Sequence, residues 1–264
     1  MSIRRVVPLA VVFVVVTLAL ALNAAQTPPK PAAPESQMLV ITFVKVRPGM
    51  APEYIDLQTK EVMPAQKKGG GLGREAYSSG LAGPPGEYVY VAPIASFAQF
   101  DGPSPMIKAL GEEGAAALNA KVAKLAEPMG SAVVRTRPDL SYMPDPKASP
   151  TPLAIITIID VTPGKRIEFE AFIKRDVLPA MQQAKVKSYW VAEVLYGEST
   201  GGYISAIGYD TYESIGKGHP FAIALGEDGA RKLEAKAAGI VTKLHRFVSR
   251  YRPELSWTAG SGSN

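Results

Sequence analysis

The chain has no cysteine among its 264 residues. That absence excludes a disulfide, a thiolate metal centre, a cysteine nucleophile and a cysteine-linked lipid, so packing alone must supply stability. Histidine is nearly as scarce, with only His219 and His245, which leaves few nitrogen ligands for a transition metal. Charge of one sign is also lacking: 29 Lys and Arg are interspersed with 24 Asp and Glu, for a net +5. No basic stripe forms, so nucleic acid is not an expected partner. There is no Walker loop, zinc-ligand spacing or serine nucleophile elbow. Gly71-Leu72-Gly73-Arg74-Glu75-Ala76 fits a degenerate dinucleotide fingerprint in letters, but it follows a helical stretch and leads into a strand, the reverse of what a pyrophosphate site needs.

One long apolar run is present, and it lies at the start. Arg4 and Arg5 precede a nearly unbroken apolar stretch from Val6 to Leu22, and Ala24 and Ala25 suit a signal peptidase. About seventeen helical residues reach roughly 25 Å, short of a usual membrane span, so a cleaved signal is favoured over an anchor. The polar and aromatic residues that normally surround a twin-arginine pair are missing. Losing Arg4 and Arg5 takes the net charge from +5 to +3. The expected address is periplasmic or extracellular, with no membrane attachment after cleavage.

Internal repetition is the most informative feature. At an offset of 115, Pro48-Gly49 falls on Pro163-Gly164, and Val62, Pro64 and Ala65 fall on Val177, Pro179 and Ala180. Ala109 to Gly114 meets Ala224 to Gly229, and Arg135, Arg137, Pro138, Leu140 and Ser141 meet Arg250, Arg252, Pro253, Leu255 and Ser256. The constant offset requires no net insertion from Pro48 to Ser256.

Each copy reads as the same series of elements. Met38 to Val46 and Ala154 to Val161 are β-branched strands ending at Pro-Gly. Glu53 to about Lys68 and Glu168 to about Ala184 follow with helical spacing; Phe169, Phe172, Ile173 and Val177 mark one apolar face. Two strands joined by glycine-rich turns come next, around Glu75 to Leu81 with Tyr88 to Ile94, and Tyr189 to Tyr196 with Tyr203 to Tyr209. A second helix is expected over Glu112 to Glu127 and Glu227 to Thr242, then a last strand at Val133 to Arg137 and Phe247 to Arg252. This is the ferredoxin-like βαββαβ unit. The first strand of each copy is apolar on both faces, so both faces must be covered. Helices cover one, and the other copy's sheet is the natural cover for the second.

The expected fold class is therefore α+β: two tandem ferredoxin-like βαββαβ modules forming an intramolecular pseudo-dimeric α/β barrel, monomeric as a chain. The boundaries are 1–25 signal, 26–36 flexible segment, 37–143 first module, 144–152 proline-rich linker, 153–258 second module and 259–264 tail.

The strand-Pro-Gly-helix opening, the helix ending Glu61-Val62-Met63-Pro64-Ala65 and the closing Arg137-Pro138-Asp139-Leu140-Ser141 together resemble the dimeric α/β-barrel superfamily. That group includes antibiotic-biosynthesis monooxygenase-like, NIPSNAP-like and stress-responsive barrel proteins. The resemblance covers both modules and implies a fused form of what other members achieve by dimerising. Members range from cofactor-free oxygenases through haem-handling enzymes to proteins of unknown role, so the fold carries no single activity.

The chemical inventory is thin, and no residue set establishes a reaction. His219, in Lys217-Gly218-His219-Pro220, stands where the first copy has Ser104. It is the weak candidate for a general base or a haem ligand, while a helix-start role before Pro220 is favoured. His245 suits a helix C-terminus. Tyr189-Trp190 replaces Arg74-Glu75, so aromatic groups gather in the second copy beside Glu193, Tyr203 and Tyr209. Strand alternation sends Tyr189 and Glu193 to one face and Trp190 to the other. Tyr189, Trp190, Glu193, Tyr209 and His219 are the candidate ligand-binding residues, although core packing is the favoured role for such aromatics. Arg135, Arg137, Arg250 and Arg252 are expected to serve the scaffold, pairing with Glu53 and Glu168. No metal site is expected; acids after Gly111 and Gly226 suit the first turn of a helix. The leading functional expectation is binding of a small apolar or aromatic molecule without a cofactor. A cofactor-free or haem-dependent oxygenase and a structural interaction module stand as alternatives.

Overall fold

The structure, a computed structural model, describes residues 35–145 and 148–259. The expected signal, nearly all of the 26–36 segment, Pro146 and Lys147 of the linker and residues 260–264 of the tail lie outside the described residues.

The first half begins with β1, Met38–Val46. Pro48-Gly49, with Gly49 at φ +79°, turns the chain into helix α1 (residues 51–68). That helix widens into a π turn at Gln58–Val62, where the Met63 N–H donates to the carbonyl of Gln58. Pro64 has no N–H for the carbonyl of Lys60 and its ring would crowd that carbonyl, so the wider turn accommodates it. Strands β2, Gly73–Ser79, and β3, Glu87–Ile94, precede α2, Pro105–Leu125, which Gly111 breaks at φ +72°. Strand β4, Ala126–Thr136, closes the half.

The second half repeats this order. Strand β5 is Leu153–Val161, and α3 (residues 166–183) carries the same π turn at Ile173–Val177 ahead of Pro179. Strands β6, Tyr189–Tyr196, and β7, Tyr203–Tyr209, lead to a short helix α4, Tyr212–Gly216. Helix α5, Pro220–Ala237, is broken at Gly226, and β8, Val241–Tyr251, is followed by the short β9, Trp257–Thr258. Both last strands begin several residues earlier than the sequence pattern suggests. Ala126 to Gly130 is held against Val46 to Phe43 by a full antiparallel ladder with a bulge between Phe43 and Val44, and Gly239 at φ +106° ends the preceding helical stretch in the second half.

Within each half the strands lie in the order 4-1-3-2, all antiparallel. The halves then join edge to edge: β4 pairs with β6 and β2 with β8. Eight strands close into one barrel, so no long sheet edge is left unpaired. Alternation along the strands separates two environments. Leu39, Ile41, Phe43, Val89, Val91, Ile156, Ile158, Trp190 and Ile204 face the barrel interior. The opposite faces pack beneath helices, around Tyr54, Tyr88 and Tyr90 in the first half and around Phe169, Phe172, Met181 and Tyr203 in the second.

The repeated closing motif is a reciprocal clasp between the halves. The Arg137 N–H donates to the carbonyl of Val191 (2.8 Å), and the Val191 N–H donates to Ser141 Oγ (2.9 Å). Arg252 and Ser256 do the same to Ala76, at 2.8 and 2.9 Å. Leu140, fully buried, belongs to the second half's core, and Leu255, equally buried, to the first half's core. Each half thus lends its partner a core leucine. The arginines do not pair with Glu53 and Glu168 as expected. Arg137 binds Asp139 and, across the seam, Glu170; Arg252 binds Glu254; Glu168 takes Lys165. Glu170 stands two residues and about 200° around the helix from Glu168, so the two carboxylates leave nearly opposite faces and Glu170 is the one that meets Arg137.

Candidate ligand-binding site

The barrel encloses a cavity of about 860 Å³, within the size range of small-molecule sites. Its wall is apolar for most of its depth, with Leu39, Ile41, Phe43, Ile156, Ile158, Trp190, Ile204 and Phe247. Opposite Trp190 stands Ala206, and the second half places Ala154, Ala206 and Gly208 where the first has the larger Leu39, Val91 and Pro93. A Cβ on Gly208 would overlap the side chains of Ser188 and Thr151, so those two would have to shift for a larger residue to stand there. Gln37, Thr136, Met143, Lys187 and Asp210 also line the cavity, with the linker residues Pro150 and Pro152. Glu75 and Tyr77 supply further polar groups, with the Tyr77 hydroxyl donating to Glu75 Oε2 at 2.7 Å. Burial first, and then the neighbouring carboxylate, push that hydroxyl above its ordinary range.

The structure divides the candidates read from the sequence. Trp190 lines the cavity. Tyr189, Tyr209 and His219 lie behind the sheet, under the second half's helices, where they share the neighbourhood of Arg246. Tyr189 is 4% exposed and shares a side-chain hydrogen bond with Ser205; burial pushes its hydroxyl upward. His219 caps α5: its Nδ1 accepts from the Phe221 N–H at 3.3 Å, as Ser104 Oγ accepts from the Ile107 N–H at the start of α2. Burial, then the Arg246 charge, lowers the imidazole to about 4, so it is neutral at pH 7. Glu193 sits apart from all of these. It meets Arg166 at 2.8 Å in a network with Arg137 and Glu170, and Tyr203 donates to Glu170 Oε1 at 2.6 Å. The Arg137 hydrogen bonds, chiefly, hold the Glu170 carboxyl down to about 2. This network ties α3 to the β4–β6 seam, so Glu193 serves cohesion between the halves.

Sequence reasoning missed the alanines and the glycine that open the cavity, and the Glu75–Tyr77 pair. Comparing the copies could have exposed them, since Glu75 stands where Trp190 stands and Tyr77 where Ala192 stands. Behind the first half's sheet, Arg74 is 8% exposed and pairs with no carboxylate among the described residues. It donates to Gln58, Gln66 and the carbonyl of Leu255 and lies 4.4 Å over the Tyr90 ring. The buried Nε1–H of Trp257 has no acceptor among the described residues.

A haem with a histidine ligand does not fit these residues. Neither histidine lines the cavity, and His219 is engaged as a cap against Phe221, with ring centroids 4.5 Å apart. The space between sheet and helices in the second half is filled by Phe169, Phe172, Ile173, Val177, Met181 and Leu233, each 6% exposed or less. Among the described residues no group of three or more His, Asp or Glu could hold a metal ion, and no helix is long and apolar enough to cross a membrane.

No protein-family model and no curated protein matches the sequence. Solved structures do match in fold. An anthrone oxidase-like protein superposes with a TM-score of 0.60 at 13% identity, covering 87% of this chain and 96% of its own. A monooxygenase-like protein from Lactobacillus acidophilus NCFM gives 0.51 at 13% identity, over 86% and 98% of the two chains. A variant of chlorite dismutase from Candidatus Nitrospira defluvii gives 0.54 at 11% identity, over 84% and 93%. At such identities the likeness is one of fold, and this chain has the dimeric α/β-barrel fold built from two tandem ferredoxin-like halves.

Proposed function

We propose that this protein binds a small apolar or aromatic molecule inside its barrel, with Trp190 as one wall, and that it does so after export from the cytoplasm. The observation that carries this reading is the 860 Å³ cavity, whose wall is mainly apolar with polar side chains among its lining. Interiors normally pack with few voids larger than a water, so an opening of this size beside small residues is the expected form of a ligand site. The same cavity would serve an oxygenase of an electron-rich aromatic. That alternative draws on the fold shared with the anthrone oxidase-like and monooxygenase-like proteins and is read by oxygen consumption with the bound compound.

The test is a titration with the neutral fluorophore N-phenyl-1-naphthylamine, following its emission and the quenching of Trp190 and Trp257, both of which line the cavity. The wild type is expected to bind it with a dissociation constant on the order of micromolar. Ala206→Leu, which fills the space beside Trp190, is expected to weaken binding at least about tenfold while leaving the fold intact. Absence of binding, or equal binding by both proteins, would remove the reading.

A further inference from the structure

Among the described residues five acidic or basic side chains line the cavity: Arg74, Glu75, Asp145, Lys187 and Asp210. Lys187 is neutralised by Asp210 at 3.0 Å. Arg74 directs its guanidinium behind the sheet, to Gln58, Gln66 and the Leu255 carbonyl. Glu75 has no cation within ion-pair distance among the described residues, and its only hydrogen bond there comes from the Tyr77 hydroxyl. Tyr77 is itself braced by the Tyr251 ring, with centroids 5.5 Å apart. A phenol thus fixes the carboxylate in place without cancelling its charge.

The internal repeat shows that this arrangement is particular to one wall. At the position equivalent to Glu75 the second half has Trp190, and at the position of Tyr77 it has Ala192. One half therefore contributes the anionic group and the other the aromatic wall, both lining the same chamber, Glu75 exposed and Trp190 half-buried. A carboxylic acid entering this chamber would bring like charge toward Glu75. An ammonium would supply the missing cation, and its hydrogen bonds to a carboxylate are of the charge-assisted kind.

The geometry points to lipophilic amines as the ligand class: an apolar or aromatic body in the barrel, with its ammonium on Glu75. This rests on the proposed binding inside the barrel and adds the head group that the cavity selects.

The experiment is competition against N-phenyl-1-naphthylamine with three matched compounds, 1-naphthylmethylamine, 1-naphthylmethanol and 1-naphthylacetic acid, at pH 7 and low salt. The wild type is expected to prefer the amine over the alcohol by about tenfold, and the acid is expected to be the weakest of the three. Glu75→Gln keeps the shape and the Tyr77 contact while removing the charge. In that variant the amine and the alcohol are expected to fall within about twofold of each other, each measured against the fluorophore affinity of the same variant. The inference is overturned, with the pocket left standing, if the fluorophore binds but the wild type shows no preference for the amine, or if Glu75→Gln retains that preference. Failure of the fluorophore to bind the wild type overturns the pocket reading and this inference together.

Discussion

His219 shows how one side chain at a helix start acquires a pH dependence. Its Nδ1 accepts a backbone N–H, which requires the neutral imidazole, and burial with a nearby arginine lowers its folded-state pKa to about 4. A group whose pKa is depressed on folding contributes stability that is fully present above its unfolded value, near 6.5, and is lost as pH falls toward 4. The protein is therefore expected to lose thermal stability across that window. His219→Asn keeps a capping acceptor without a titrating group. Its melting temperature should fall less steeply than that of the wild type between pH 7 and 4; parallel curves would show that the histidine contributes nothing to the acid response. At the same scale, the sequence marked Trp190 as pointing away from Tyr189 and Glu193, because alternation in a strand is unambiguous. It could not mark Ala154 and Ala206, since a missing side chain leaves no positive signal.

At the scale of elements, the closing Arg-Pro-Asp/Glu-Leu-Ser motif does more than end each half. Its backbone pairs with the partner's edge strand, and its leucine completes the partner's core. Leu255→Ala should cost about 3 kcal/mol, within the usual range for a buried leucine, measured as a shift in the denaturant midpoint. A loss below about 1 kcal/mol would mean that the clasp is not what closes the barrel. The ion pairs Glu61–Lys121 (2.6 Å) and Asp176–Lys236 (2.8 Å) repeat at the same offset, each tying a π turn to the following helix. The order of elements was legible because β-branched strands, Pro-Gly turns and helical spacing recur twice. The π turns were not, since helical periodicity looks the same through one widened turn. The starts of β4 and β8 were hidden too: Glu127, Pro128, Met129 and Gly130 resemble a loop, and only the ladder to β1 makes them strand.

For the whole molecule, fusion of two halves frees each to differ inside the shared barrel. A symmetric pair would place either two tryptophans or two glutamates at the positions of Glu75 and Trp190. One chain can place one of each, and can thin one wall to Ala154, Ala206 and Gly208 while keeping the other bulky. The asymmetry extends to the seams, where Glu170 joins Arg137 and its counterpart Ile55 does not join Arg252. The central claim is that the ligand enters the barrel and not the space beneath the helices. Isoleucine-methyl NMR during titration with N-phenyl-1-naphthylamine tests it most directly. Ile41, Ile156, Ile158 and Ile204 line the barrel cavity, whereas Ile173, Ile207 and Ile240 pack under the second half's helices. Shifts are expected to concentrate in the first group; shifts confined to the second would place the ligand beside Tyr189 and His219 and rule out the barrel as its site.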